Sequence, residues 1–428
     1  MGDHQPSRDP ADEDGKPRRR RRGRRIALWL GVPLALLLGA GAYVYLELDG
    51  NIRSSPLFSG SGSQAPETKD AAGRSPENIL VIGSDTRNTA ADCAIGGDCG
   101  PGANADVEML VHLAANRTNA TVLSIPRDLV LDLPGCTDPR TGQLHPGTGP
   151  ALITSSLQYG PGCTVAAVHQ LTGITIDHFM MIDFAGVVNM SDAVGGVRVC
   201  VDNNVYDPDS HLKLTAGTHT LQGLAALEFL RTRHGFGDGS DLGREDAQHV
   251  FLSAMIQKLR SAGTLTNPGT LYALANAATK SLTVDPGLNG LADLAELAAQ
   301  LNDVPTNKIT FLTTPNSPYN GQDPVFAQDL VLAPEATAVF RAIQGDQSFS
   351  GGGTPAATAA DAVKAAAPRS AGNGGGSSTG PTTAPGGANP LNAGSAPGCA
   401  KVSTEDTTPF GSPIEAFAQN PDVPNSAP

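Results

Sequence analysis

Three arginines flank a glycine-rich loop within residues 230–248, which read LRTRHGFGDGSDLGREDAQ. The arginines are Arg231, Arg233 and Arg244, and the loop carries Asp238 and Asp241. The planar guanidinium group matches the oxygens of phosphate, and several arginines close together indicate a polyanionic ligand. We therefore expect this stretch to bind phosphate groups.

Carboxylates and guanidiniums also stand at the ends of three predicted strands. Asp85 and Arg87 follow the run 78–83, Asp106 opens the run ADVEMLVHL, and Arg127 and Asp128 follow the run 120–125. Loops at strand ends are where ligand sites usually lie in such folds. Two aspartates with several arginines suit phosphoryl chemistry with a divalent metal, because Mg²⁺ takes one or two carboxylates plus phosphate oxygens. At any single pair, an ion pair that only braces two loops is the alternative.

The hydrophobic pattern between residues 78 and 345 predicts the strands and helices that position these residues. Strands are predicted at 78–83, 108–113, 120–125, 177–183, 197–201 and 308–313. Helices are predicted in the second half of 151–172 and at 184–194, 221–230, 246–262, 269–280 and 287–302. Strands that alternate with helices indicate an α/β (α+β) domain with a central mixed β-sheet flanked by helices.

The N-terminal residues predict a membrane anchor. Residues 1–25 form a basic tail, and residues 26–46 contain no charged side chain. That length spans a hydrocarbon core of roughly 30 Å as a helix, and the basic side is expected in the cytoplasm. A cleaved signal peptide, with Ala40-Gly41-Ala42 as cleavage site, is the alternative, although its apolar region would be unusually long. Residues 47–77 then form a linker to a catalytic domain outside the cell membrane, in a single-pass protein.

Six cysteines fit an extracytoplasmic location, where disulfides form. We expect the pairs Cys93–Cys99 and Cys136–Cys163, with Cys200 and Cys399 remaining for a third. Residues 346–428 are a low-complexity and mostly disordered tail by composition, because Gly, Ala, Pro, Ser and Thr cannot bury enough apolar area to offset chain entropy. The third disulfide would attach the end of this tail to the domain.

The net charge is −13, and the first 25 residues carry 9 of the basic and 5 of the acidic side chains. The remainder therefore holds 20 basic and 37 acidic residues, a net charge of −17. A body with this balance has no general attraction for nucleic acid, so no nucleic-acid partner is expected.

The motifs taken in order resemble the LytR–CpsA–Psr family. They are NILVIGSDTR, ADVEMLVHL, TVLSIPRD, DHFMMIDFAGVVNMSDAVGGVRV and LEFLRTRHGFGDGSDLGREDAQ, which together cover about residues 78–262. The resemblance implies a membrane-anchored cell-wall phosphotransferase of Gram-positive bacteria, and the composition is similar to that of an actinobacterial member. Such an enzyme would transfer a phospho-glycopolymer from a polyprenyl-pyrophosphate carrier to peptidoglycan through a phosphodiester link.

The resemblance also implies roles for individual residues. Asp85 and Asp106 would bind Mg²⁺, with Mn²⁺ as a substitute, beside the pyrophosphate of the carrier. Arg127, Arg231, Arg233, Arg244 and Gln248 would hold that pyrophosphate, with Arg87 as a further substrate-binding residue. The catalytic set would be Arg127, Arg233, Asp241 and Arg244, in which Asp241 orients an arginine or assists proton removal. Asp128 would brace an arginine rather than act as a base, and an apolar pocket would take the polyprenyl chain.

Two positions depart from the family pattern. Asn104 stands where an arginine is frequent, and Leu152 stands where a lysine is frequent. Two fewer cations would weaken binding of a pyrophosphate or indicate a different head group. Hydrolysis of polyprenyl pyrophosphate, and a non-catalytic role as an envelope regulator or attenuator, are the alternative functions.

Overall fold

The computed structural model describes residues 19–61, 63–67, 69–70, 72–86, 93–95, 99, 103–261, 266–321, 323–349, 391–393 and 398–428. The chain divides into two units, residues 1–50 and residues 51–428. In the first unit, helix α1 (Arg19–Asp49) contains Pro33 and extends beyond the predicted 26–46. Its segment Val32–Asp49 has a mean hydropathy of 1.4 and is long enough to cross a membrane.

The second unit is a mixed α/β structure. Its described strands are β1 (Arg53–Ser54), β2 (Glu77–Ser84), β3 (Ala105–Leu113), β4 (Ala120–Ser124), β5 (Val130–Leu133), β6 (Cys136–Thr137), β7 (Leu144–His145), β8 (Thr148–Leu152), β9 (His178–Ile182), β10 (Val197–Val201), β11 (Val205–Tyr206), β12 (Lys213–Leu214), β13 (Gly217–Leu221), β14 (Leu282–Val284), β15 (Ile309–Thr313), β16 (Asn316–Pro318), β17 (Leu330–Leu332) and β18 (Leu391–Asn392). Its described α-helices are α2 (Pro161–Thr172), α3 (Phe184–Ala193), α4 (Leu224–Arg231), α5 (Asp241–Arg260), α6 (Pro268–Ser281), α7 (Leu291–Asp303), α8 (Ala336–Gln344) and α9 (Pro413–Gln419), with 3₁₀ helices at Ile153–Tyr159, Thr306–Lys308 and Pro324–Phe326.

Eight strands form the central sheet in the order β1-β14-β9-β2-β3-β4-β15-β18. β2, β3 and β4 are successive antiparallel strands, whereas β9 runs parallel to β2 and β15 runs parallel to β4. The predicted mixed sheet flanked by helices is therefore confirmed. The strands β1, β14 and β18 were not predicted, because each has only two or three residues.

Both faces of the sheet are buried against helices. Leu80, Leu110 and Leu123 point to one face, where they pack with residues of α2 and α8. The alternate residues Met109 and Val122 point to the other face, where α5 and α7 pack. Successive side chains along a strand point to opposite faces of the sheet. Because these strands carry apolar residues at successive positions, helices can pack on both faces.

A second core supports the arginine-rich loop. The antiparallel strands β10 and β13 pack the three valines of β10 and Leu221 of β13 against α4 and α5. The loop itself needs glycine at two points: a Cβ on Gly237 would lie 2.6 Å from the Cα of Gly243, and one on Gly243 would lie 2.2 Å from the carbonyl oxygen of Phe236. The loop is thereby pressed directly against the first turn of α5.

Two parts of the segment predicted as mostly disordered are ordered. β18 joins the edge of the central sheet, and residues 398–428 pack on the second core. The backbone N–H of Gly237 donates to the carbonyl of Lys401 at 2.8 Å, and the ammonium of the buried Lys213 donates to the carbonyl of Val423 at 2.6 Å. Residues 350–390 and 394–397 lie outside the described residues.

All three predicted disulfides are present: Cys93–Cys99, Cys136–Cys163 and Cys200–Cys399. The third attaches the C-terminal segment to β10. The predicted linker 47–77 is also partly packed, since β1 pairs with β14 and Phe58 contacts the core. Apolar side chains within an otherwise polar linker explain this difference from the prediction.

Candidate active site

The topology brings the predicted site residues to one edge of the sheet. β2 ends at Ser84, β4 ends at Ser124, and the antiparallel strand between them, β3, begins at Ala105. The residues that follow or open these strands, Asp85, Asp106 and Arg127, therefore lie side by side. The N-terminus of α5 meets the same edge, where Arg244 Nη2 donates to the carbonyl oxygen of Asp106 at 3.3 Å.

Asp241 is the centre of an ion cluster at this edge. Its side chain is only 4% exposed and faces three guanidinium groups. Arg127 Nε donates to Asp241 Oδ2 at 2.8 Å, while Arg233 Nε and Arg244 Nη2 lie 3.3 and 3.2 Å from Asp241 Oδ1. Residues that are more than a hundred positions apart in the sequence thus converge, as the sequence predicted for Arg127, Arg233 and Arg244.

Arg127 connects this cluster to two further carboxylates. It contacts Asp106 through Nη1, and its Nε lies 3.3 Å from Asp128 Oδ1. Asp128 Oδ2 in turn lies 3.5 Å from Arg233 Nη2. Asp128 therefore braces two arginines, as expected from the sequence.

The two neighbouring carboxyls of the cluster have opposite pKa shifts. Burial raises the pKa of Asp128 to about 7, with a further contribution from its hydrogen bond to Asp241. Burial alone would also raise the pKa of Asp241, but the hydrogen bond from Asp128 and the three guanidiniums outweigh it and hold this pKa well below its usual range. The carboxylate form of Asp241 is therefore favoured beside the three arginines, and its expected role in orienting them stays a prediction.

Asp85 is held by Asn104. The backbone N–H of Asn104 donates to Asp85 Oδ1 at 2.6 Å, and its side-chain Nδ2 donates to Asp85 Oδ2 at 2.9 Å. The residue that replaces an arginine of the family pattern therefore orients a predicted metal ligand. Leu152 ends β8 and carries no charge to the site.

The metal pair Asp85 and Asp106 stays a prediction, and carboxylates are the ligand type that Mg²⁺ takes from proteins. Asp85 and Asp106 flank the paired residues Ser84 and Ala105, so two hard oxygen donors stand on adjacent strands. Within the described part of the chain, no group of three or more His, Cys, Asp or Glu residues could hold a metal. In proteins Mg²⁺ usually binds one or two carboxylates together with substrate phosphates and waters.

An apolar cavity of about 140 Å³ adjoins the ion cluster. Its apolar walls come from β2, β3, β9, α3, α4 and α5, and include Val107, Phe184, Leu227 and Leu252. Its polar lining consists of Ser84, Asp106, Asp183, Arg231, Arg244 and Gln248. Asp106 and Arg244 thus belong both to the cavity wall and to the ion cluster.

The remaining predicted residues have separate positions. Arg231 lies over the ring of Phe184, with its guanidinium carbon 4.8 Å from the ring centroid. Gln248 Nε2 donates to the carbonyl of Leu230 at 3.1 Å, which fixes its side chain in the cavity wall. Arg87 lies outside the described residues.

Two buried glutamates near the site were not predicted. Glu245 follows Arg244 on α5, is 5% exposed, and has a pKa raised by burial to about 8. Glu108 on β3 is 1% exposed, and burial raises its pKa well above the usual value. Local sequence does not reveal these surroundings, because the neighbours come from distant elements: Glu245 has a hydrogen bond with Thr313 of β15, and Glu108 lies near Glu245.

The sequence of this chain matches a known protein family. The model of the LytR_cpsA_psr family matches residues 45–338, which include the ion cluster and every strand of the central sheet except β18. The chain belongs to the LytR_cpsA_psr family. The resemblance inferred from the motifs is confirmed, over a longer part of the chain than the motifs cover.

Three members of this family illustrate the similarity. The cell wall biosynthesis protein LcpA of Corynebacterium glutamicum is 31% identical over 322 residues, covering 70% of this chain and 60% of that protein. The polyisoprenyl-teichoic acid–peptidoglycan teichoic acid transferase TagT of Bacillus subtilis is 26% identical, covering 58% of this chain and 76% of that protein. The structure of a LytR-Csp2A-Psr enzyme from Actinomyces oris has a TM-score of 0.50 and 23% identity, covering 68% of this chain and 96% of that one. This structure supports the fold.

Proposed function

We propose that this protein transfers a phospho-glycopolymer from a polyprenyl-pyrophosphate carrier to peptidoglycan. The observation that carries the proposal is the contact between an apolar cavity and a cluster of arginines. A polyprenyl chain needs an apolar cavity, and a pyrophosphate needs guanidinium groups at its end. Arg244 meets both needs, because it lines the cavity and pairs with Asp241.

The relatives support the same activity. TagT is a teichoic acid transferase to peptidoglycan, and LcpA is a cell wall biosynthesis protein, by their names. Helix α1 supports a location at the cell membrane. The seven arginines of residues 18–25 would keep the N-terminus in the cytoplasm, so the catalytic unit would lie outside, next to peptidoglycan.

In the proposed reaction, a sugar hydroxyl of peptidoglycan attacks the phosphorus that bears the glycopolymer. A new oxygen–phosphorus bond forms, and the bond from that phosphorus to the bridging oxygen of the pyrophosphate breaks. Polyprenyl phosphate leaves with the electron pair, and Arg127, Arg233 and Arg244 offset its developing negative charge. The hydroxyl proton passes to Asp128 rather than to Asp241, in addition to the contacts of Asp128 with two arginines, because a carboxyl whose pKa lies near neutrality suits general base catalysis whereas the pKa of Asp241 is lowered.

Asp85 and Asp106 would hold Mg²⁺, or Mn²⁺, beside the pyrophosphate. The metal ion would supply positive charge to phosphate oxygens. Asn104 would keep the carboxylate of Asp85 in place for this purpose.

The proposal can be tested on the full chain purified in detergent. Mass spectrometry should find a co-purifying polyprenyl phosphate or pyrophosphate, and incubation with a polyprenyl-pyrophosphoryl glycan and peptidoglycan should give a phosphodiester-linked product. Arg244→Ala should lose at least about 100-fold in transfer rate. Arg198→Ala, an exposed arginine on β10, is the matched control. Release of polyprenyl phosphate without an acceptor-linked product would indicate hydrolysis, and bound lipid without turnover would indicate a binding role.

A further inference from the structure

A second, polar cleft lies beside the ion cluster. It has a volume of about 370 Å³ and is lined by Asp128, Arg233 and the segment 324–329. Among the described residues, none lines both this cleft and the apolar cavity. The site therefore has two compartments of different chemistry.

The segment that forms one wall of the cleft is fixed to the rest of the site. Asp323 accepts a hydrogen bond from the backbone N–H of Val325 at 3.0 Å and so begins the 3₁₀ helix Pro324–Phe326. Phe326 packs edge-on against Tyr319, with ring centroids 5.6 Å apart. The backbone N–H of Leu330 donates to the carbonyl oxygen of Asp128 at 3.0 Å, which joins this wall to the opposite one.

The lining of the cleft selects a ligand rich in hydroxyl groups. Asp128 and Asp329 accept hydrogen bonds, Gln328 can donate and accept, and Arg233, whose side chain is 41% exposed, donates. Two carboxylates beside one guanidinium disfavour a polyanion, while the polar walls disfavour a lipid chain. The exposed Val325 offers an aliphatic surface to the apolar face of a sugar ring.

The cleft also lies where an attacking group should enter. Arg233 of the cleft and Arg244 of the apolar cavity both pair with Asp241 Oδ1, at 3.3 and 3.2 Å, so the two compartments adjoin at Asp241. In phosphoryl transfer the attacking and leaving oxygens lie roughly in line with the phosphorus between them. If polyprenyl phosphate leaves on the side of the apolar cavity, the nucleophile enters from the side of the cleft.

We propose that the cleft between Arg233 and segment 324–329 is the acceptor subsite, which binds a sugar unit of the peptidoglycan glycan and directs its hydroxyl at the phosphorus. This inference rests on the proposed function and adds the location and chemistry of acceptor recognition. Gln328 and Asp329 would act as specificity-determining residues, since they line the wall opposite Asp128 and Arg233. The donor glycan is the other hydroxyl-rich ligand that the cleft could take, and the experiment distinguishes the two.

The test uses the full chain, a polyprenyl-pyrophosphoryl disaccharide as donor and a soluble, uncrosslinked peptidoglycan fragment as acceptor. Ala327→Trp should fill the cleft from an exposed turn, and Asp329→Asn should weaken its hydrogen bonding. We expect each variant to raise the KM for the acceptor at least about tenfold, while the KM for the donor and the co-purifying lipid stay unchanged. Glu296→Gln, an exposed residue of α7 that lines neither compartment, is the control.

Each other outcome has a defined meaning. An unchanged acceptor KM in Ala327→Trp would overturn the acceptor subsite and leave the proposed function intact. A raised donor KM instead would assign the cleft to the donor glycan and overturn the inference. If the wild-type protein transfers nothing, binding of the peptidoglycan fragment is measured by calorimetry. If the wild-type protein binds the fragment and Ala327→Trp does not, the glycan-binding site is supported although the proposed function fails. If the wild-type protein does not bind the fragment, the acceptor subsite and the proposed function are both overturned.

Discussion

Asn104 donates two hydrogen bonds to the carboxylate of Asp85, one from its backbone N–H at 2.6 Å and one from its side-chain amide at 2.9 Å. An arginine at this position would add a cation. The asparagine is neutral and instead holds the carboxylate of a predicted metal ligand by a hydrogen bond. Neighbours that orient a metal ligand typically change metal affinity by about 10- to 100-fold. We therefore expect Asn104 to keep the carboxylate of Asp85 oriented, although it adds no charge.

The first prediction concerns these hydrogen bonds. Asn104→Ala should raise the Mg²⁺ concentration needed for half-maximal transfer by about 10-fold, because Asp85 loses its side-chain partner. A titration of transfer activity with Mg²⁺ measures the effect. Asn189→Ala, an exposed asparagine of α3, should behave as the wild type. An unchanged Mg²⁺ requirement in Asn104→Ala would show that Asp85 does not bind the metal.

Asp241→Asn should destabilise the free protein and make it more dependent on a polyanion. The change leaves three guanidinium groups facing a neutral amide. One of these groups belongs to Arg244, whose side chain is only 8% exposed. Loss of one partner of a buried ion pair costs about 3 kcal/mol. Thermal unfolding should therefore show a lower Tm, and added inorganic pyrophosphate should raise the Tm of the variant more than that of the wild type. Equal shifts in both proteins would contradict the role of Asp241, and Asp293→Asn on α7 serves as the control.

Glu245 predicts a pH-dependent stability. Its folded pKa of about 8 exceeds the ordinary value of 4.5, so between these values the folded protein keeps a proton that the unfolded chain has lost. The free energy of unfolding should then fall as pH rises through this window, by about 1.4 kcal/mol per pH unit from this group. Urea unfolding at about pH 5.5 and about pH 7.5 should show this loss in the wild type and a smaller one in Glu245→Gln. A slope that is the same in both proteins would exclude Glu245 as its source.

Val187→Trp tests the apolar cavity. Val187 lies on α3 and lines the cavity of about 140 Å³, so an indole should occupy the space that the proposed lipid needs. The purified variant should carry at least about tenfold less polyprenyl lipid by mass spectrometry, with a Tm near that of the wild type. Val188→Trp, which does not line the cavity, is the matched control. Equal lipid content in both variants would place the lipid elsewhere.

The ion cluster could be predicted because its members stand at strand ends. Arg127 and Asp106 follow from the alternation of β3 and β4, and Arg244 follows from the start of α5. The sheet order was less accessible, since β14 inserts between β1 and β9 from more than a hundred residues away. The helical and strand periods determine local structure, whereas strand order depends on packing between distant segments.

The polar cleft could not be predicted from the sequence. Residues 324–329 carry one charged side chain, Asp329, and they are brought to Asp128 by the pairing of Leu330 with residues 128–129, which are about 200 positions away in the sequence. Part of the packing of the C-terminal segment could not be predicted from the sequence either. Lys213 is 3% exposed because carbonyls of residues 420 and 423 surround its ammonium group, and composition alone does not show such contacts.

The last prediction concerns the proton of the acceptor hydroxyl. If Asp128 takes this proton, it must be deprotonated, so kcat/KM for the acceptor should rise with pH through the pKa of about 7 and level off above it. Asp128→Asn should lower the plateau by at least about 100-fold and remove this rise. The variant Asp241→Asn removes a neighbouring carboxylate that adds to burial in raising the pKa of Asp128, so its pH profile should keep a rise with a midpoint at lower pH, although its activity also falls. Rates of transfer measured between about pH 5.5 and about pH 9 decide the assignment. A rise of unchanged midpoint in Asp128→Asn would mean that another group accepts the proton.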